Sequence, residues 1–169
     1  MKHKMLTAVA LVATLGTAAV GSALATPGSG ITAALLARGT LESDHKGHHG
    51  HHWWAKRQKP VRIALRRPSD VAVQQVTVAP GGSTGWHSHP GPAIVIVKSG
   101  ALTLYDEDDP RCKGTTYAAG KVFVDEGYGH GHIGRNEGTT SAELYVTFLD
   151  MPVGAEPRID VPSPGNCPF

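Results

Sequence analysis

The chain has 169 residues, 40% of them hydrophobic, with 16 Lys and Arg set against 14 Asp and Glu. That length and composition predict one globular domain with a real core. A formal net charge of only +2 with His neutral argues against nucleic acid as a general partner, because affinity for a phosphate backbone rests on an excess of basic residues.

Residues 1–25 read as a secretory signal peptide. Lys2 and Lys4 make a basic start, Leu6 to Val20 is apolar and small, and Ala23-Leu24-Ala25 offers an A-x-A cleavage site. An apolar run of about 15 residues is short for a membrane span. The expected product is therefore secreted and extracellular, not membrane-bound after cleavage. Loss of Lys2 and Lys4 leaves 14 basic against 14 acidic residues.

Residues 26–60 form an N-terminal segment in which Ile31 to Arg38 suits either a short helix or a leading strand. It continues into a His-rich stretch, His45, His48, His49, His51 and His52, beside Gly and two Trp. Without periodicity this reads as an exposed loop. It either captures ions such as Zn, Cu or Ni loosely or serves as an insertion with no specific role. Lys56 to Arg67, with six basic residues, and the acidic run Asp106 to Asp109 read as solvated surface.

From Pro60 the pattern turns to strands. Val61 to Leu65 and Val71 to Val78 are short and rich in β-branched residues, and Pro80-Gly81-Gly82 reads as a turn. Ala93 to Lys98, Ala101 to Tyr105, Lys121 to Asp125, His130 to Asn136 and Ala142 to Leu149 follow, separated by Gly, Pro and Asp. Seven or eight short strands with almost no helical periodicity predict an all-β sandwich or barrel over residues 61–150. No internal repeat suggests a second one. Ile94, Val95, Ile96, Val97, Phe123, Leu144, Val146 and Phe148 are the expected packing residues.

Two His-x-His pairs lie within this region. His87 and His89 sit two residues apart, so an extended backbone points both imidazoles the same way. His130 and His132 repeat the spacing some forty residues later. Facing strands would gather neutral nitrogen donors around one metal ion. The run Gly81-Gly-Ser83-Thr-Gly85 satisfies G-x-S-x-G, but the Trp-His-Ser-His-Pro that follows is no helix, so Ser83 reads as a turn residue, not a nucleophile. Residues 151–169 form a Pro-rich tail. Cys112 and Cys167, the only cysteines, predict a disulfide in an oxidising compartment. It would stabilise by roughly 4 kcal/mol on the chain-entropy model. The alternative, two thiolate metal ligands, has no C-x-x-C spacing behind it.

These motifs resemble the cupin superfamily, in particular its secreted, single-domain actinobacterial members. The first cupin motif runs Gly, five residues, His-x-His, three or four residues, Glu, six residues, Gly. Gly81, His87, His89 and Gly100 fit this frame, and Ala93 occupies the Glu slot. In the second, Gly120, Gly129, His132 and Asn136 match, with one extra residue after Gly120 and with Gly127 where Pro is usual. The resemblance implies a jelly-roll β-barrel with a divalent metal (Zn, Cu, Fe, Mn or Ni) held by His87, His89 and His132. His130 is a candidate fourth ligand and the nearest group to act catalytically by shuttling protons. Asn136 is expected to orient the loop or a ligand imidazole, and Asp125, Glu126 and Glu143 are candidates to replace the lost carboxylate. A Glu-free site keeps the ion's full charge and favours an anionic ligand. Three functions stay open: a dioxygenase-like oxidoreductase acting on a small anionic organic molecule, a non-catalytic protein binding metal or a small ligand, and a metal-free barrel that binds a sugar or a partner. Homodimerisation through strand exchange or sheet edges is common in the resembled family.

Overall fold

The computed structural model of the protein describes residues 25–42, 65 and 68–169. The signal peptide, the His45 to His52 stretch and nearly all of the expected strand Val61 to Leu65 lie outside the described residues. Among the described residues every regular element is a β-strand, and no helix is long and apolar enough to cross a membrane.

The strands are β1 (Ser29–Leu41), β2 (Ser69–Ser83), β3 (His87–Ser88), β4 (Ala93–Ser99), β5 (Ala101–Asp106), β6 (Thr115–Ala118), β7 (Val122–Asp125), β8 (His132–Arg135), β9 (Ala142–Met151) and β10 (Ile159–Asp160). All pair antiparallel in one curled sheet ordered β10-β3-β8-β2-β9-β4-β7, with β1 added on β2 and the β5–β6 hairpin joined through β8.

The period-2 pattern sets which side chains enter the barrel. On β9, Ala142, Leu144, Val146 and Phe148 are buried while the residues between them are half-buried. Cross-strand pairing places Val95 opposite Val146 on β9 and Phe123 on β7, so one face of three strands becomes continuous core. The same alternation corrects part of the expected core. Ile96 is 45% exposed and Ile94 only half-buried, because both face outward between the buried Ala93, Val95 and Val97.

The undecided segment Ile31 to Arg38 is strand. It lies within β1, which runs along β2 from Ile31↔Val78 to Leu41↔Ser69. Pro80-Gly81-Gly82 does not end its strand as expected. β2 continues to Ser83 across a wide bulge, with the register jumping from Ile31↔Val78 to Ser29↔Ser83. Pro80 has no N–H to donate, and Gly81 takes a φ of 70°, so the chain kinks here without leaving the sheet. Asn136 closes the kink: its O accepts from Gly81 N and its N donates to Gly82 O, each at 2.9 Å. Its side chain donates to Val78 O and Thr140 O at 2.8 Å, so Asn136 orients the loop.

A second, smaller core forms around Trp86, Ile133 and Cys167. The Cys112–Cys167 disulfide ties the tail to the β5–β6 loop, and Asn166 Nδ2 donates to Asp106 O and Asp109 O at 2.9 and 2.8 Å. The tail is thereby held against the barrel. It contributes β10, paired with β3.

Candidate metal centre

The segment leading to the first histidine pair is built for a close turn. Gly85 has φ 71°, and a Cβ there would lie 2.2 Å from Thr26 O, so only glycine fits. Ser83 Oγ accepts from Gly85 N at 2.9 Å, a turn role as the sequence suggested, and Thr84 Oγ1 accepts from Gly134 N at 2.8 Å. Trp86 then points into the small core. Alternation turns His87 and His89 the other way, into the barrel.

His132 arrives from β8, whose register sets it directly opposite His87. The three rings stand with centroids 4.3 Å (His87–His132), 4.9 Å (His87–His89) and 5.2 Å (His89–His132) apart. One nitrogen from each lies within 4.8 Å of the others, and all three residues are buried. These distances suit ligation of a single cation.

Hydrogen bonding selects the nitrogen. His87 Nδ1 donates to Gly85 O at 2.9 Å and His89 Nδ1 donates to Pro157 O at 2.6 Å, since a carbonyl can only accept. His132 Nδ1 lies 2.7 Å from Asp125 Oδ2. Each ring thus has Nδ1 committed to a partner outside the cluster and keeps the Nε2 lone pair for a ligand. Burial, reinforced by the neighbouring imidazoles, pushes His87 well below its ordinary pKa and His89 to about 4. Both rings are therefore neutral at pH 7, the form a metal requires.

Ala93, in the slot where a carboxylate was expected, is fully buried and its methyl ligates nothing. Its cross-strand partner is Asp125. Of the three candidate replacements only Asp125 reaches the site, and it stands behind His132 instead of beside the ligand nitrogens. Burial opposes its ionisation, but the bond to His132 and the Gly127 N–H at 2.7 Å prevail and hold the carboxyl below its usual range. Glu143 bonds Gln75 and Lys98 on the outer face, and Glu126 is exposed.

His130 is not in the cluster. β8 begins only at His132, and His130 N donates to Gly127 O across a turn, so the same-face argument for an extended pair does not apply. Its Nε2 lies 3.0 Å from Asp106 Oδ1 and 3.3 Å from Asp108 Oδ2. Partial burial opposes the charged form, but these carboxylates outweigh it and raise the imidazole above its ordinary pKa.

The histidines open onto a cavity of about 100 Å³ with mostly apolar walls, among them Val95, Phe123, Val146 and Phe148. Two contributors come from the tail that the sequence offered only as Pro-rich: the Pro157 carbonyl behind His89, and Arg158 at the cavity edge. The one hint in the sequence was Cys167, whose partner Cys112 lies on the barrel. Three imidazoles with a buried anion behind one of them fit a divalent ion of the Zn, Cu, Fe, Mn or Ni group. When bound, such an ion supplies Lewis acidity and open positions for a ligand.

Residues 74–148 match the family model of the cupin domain. No curated protein sequence matches the chain. Among solved structures, it is similar to oxalate decarboxylase of Bacillus subtilis, at 24% identity over 54% of this chain and 24% of that one, with a TM-score of 0.46. This chain therefore spans about a quarter of that enzyme. It is also similar to an RmlC-like cupin family protein with a double-stranded β-helix fold from Methanocaldococcus jannaschii, at 17% identity over 56% of this chain and 72% of that one, TM-score 0.43. A conserved protein of unknown function from Streptococcus pyogenes aligns at 20% identity over 52% of this chain and 68% of that one, TM-score 0.41. The matched segment carries all three site histidines, and it lies within the all-β barrel.

Proposed function

We propose that this protein is an exported cupin that holds one divalent metal ion through His87, His89 and His132 and uses it to bind and oxidise a small anionic organic molecule in a dioxygenase-like reaction. The observation that carries the reading is the convergence of three buried imidazoles whose Nδ1 atoms are all committed elsewhere. The Cys112–Cys167 disulfide agrees with an oxidising compartment.

The chain's own groups divide the work. Asp125 and the carbonyls of Gly85 and Pro157 fix the ring orientations. The mostly apolar walls surround a bound ligand, and Ala93 brings no carboxylate to the ligand sphere. One observation favours the second reading, a non-catalytic metal or ligand carrier. Among the described residues the nearest carboxylate, Asp125, is tied to His132 and Gly127, so none of them stands at the cavity as a free base.

Metal analysis of the purified protein tests the site. The expected result is one tightly held ion, lost in His87→Ala and in His132→Ala. Oxygen consumption with small carboxylates, thiols and diketones then separates the readings. Turnover supports the oxidoreductase, whereas tight metal without turnover supports the carrier. Wild-type protein that retains no ion under metal-replete conditions overturns both.

A further inference from the structure

We infer that Arg158 makes this centre a receptor for a small monocarboxylate, held with its carboxylate between the metal side and the guanidinium and its short apolar end against the barrel wall. This rests on the metal reading above and adds the ligand class.

The register places Arg158. β10 runs antiparallel to β3 with Ile159↔Ser88 and Asp160↔His87, so Arg158 continues the ladder opposite His89. Residues opposite each other on antiparallel strands share a face. Arg158 and Asp160 therefore stand on the face that carries the two histidines, and Arg158 borders the cavity. Its side chain is 33% exposed, which sets it at the rim: shielded enough for its charge to count, open enough for a ligand to reach. The preceding residue, Pro157, is anchored through its carbonyl to His89, and the disulfide holds the tail beyond β10. The guanidinium is thus carried on a fixed strap.

Asp160 Oδ1 lies 2.5 Å from Arg158 Nε. The pair engages Nε and leaves Nη1 and Nη2 as donors in the planar fork that suits a carboxylate. Charge sets the ligand's valence. An imidazole that ligates a metal contributes no charge, Asp125 offsets one of the ion's two charges, and Asp160 pairs with Arg158. One positive charge remains, which a monoanion neutralises.

Volume sets the size. A cavity of about 100 Å³ holds the equivalent of roughly three waters, and is smaller than the ~150 Å³ that accepts benzene in an engineered apolar cavity. An acetate- or glycolate-sized molecule fits, with a methyl or methylene against Phe148 and Val95.

The test loads wild type, Arg158→Gln and Arg158→Lys with Zn(II), measures Zn(II) affinity, and titrates each with acetate, glycolate and benzoate by calorimetry. The expected result is unchanged Zn(II) affinity in all three. Acetate and glycolate affinity falls about tenfold in Arg158→Gln, as for loss of a charged hydrogen bond, with partial recovery in Arg158→Lys. Benzoate binds wild type more weakly than acetate. Wild type that takes up no Zn(II) overturns the metal reading and this inference together. Normal Zn(II) uptake with equal acetate affinity in wild type and Arg158→Gln, or with benzoate binding as well as acetate, overturns this inference alone.

Discussion

Asp125→Asn probes the centre through the carboxylate that stands behind His132. In the native site the Asp125 carboxylate has Oδ2 2.7 Å from His132 Nδ1 and accepts through Oδ1 from Gly127 N–H at 2.7 Å, while only 6% exposed. Asparagine has one acceptor oxygen and one donor nitrogen, so it can reproduce only one of those two oxygen–nitrogen contacts. Either His132 loses the partner that fixes its ring or the Gly127 turn loses its tie. In both cases His132 loses the buried anion that makes Nε2 a stronger donor. Replacing such a partner of a metal-bound imidazole costs 10- to 100-fold in affinity, or about 1.4–2.7 kcal/mol. A competition titration with a chelator of known affinity measures this directly. The expected order is wild type, then Asp125→Asn, then Asp125→Ala, with Asp125→Glu recovering part of the loss. Affinity in Asp125→Ala within twofold of wild type, in protein that melts normally, would refute the role given to this carboxylate.

Other perturbations follow from the same contacts. His89 is held at about 4 in the folded state, against ~6.5 unfolded, so the folded form binds fewer protons between those values. Stability of the metal-free protein is full above about pH 6.5, declines as pH falls, and levels off near 4, a loss of about 3 kcal/mol from this residue; thermal melts from pH 7 to 4 should show that slope, and a flat profile contradicts it. Reducing Cys112–Cys167 removes about 4 kcal/mol by chain entropy, lowering Tm, and loosens the strap that carries Pro157, so metal affinity falls as well. Phe148→Ala deletes a core ring that also packs 5.0 Å from the His89 ring; it should cost about 3–5 kcal/mol in denaturant unfolding.

What the sequence determined by itself was local. β-branched alternation between Gly and Pro breaks located most of the strands. The His-x-His spacing put His87 and His89 on one face because two residues is the repeat of an extended chain. The same rule failed for His130, since it holds only where the backbone is a strand, and Gly127 and Gly129, both at positive φ, bend the chain into a turn. Ile94 and Ile96 were misplaced because a run of four apolar residues carries no mark of its register. β6 and β10 went unseen because strands of four and two residues carry too little pattern. Tertiary structure alone decided the rest: His132 set opposite His87, Asp125 set opposite Ala93, and Pro157 and Arg158 brought in from the tail. Each is a contact between residues distant along the chain, fixed by the register of paired strands and the tail's disulfide tether, and neither is encoded in any short stretch of residues.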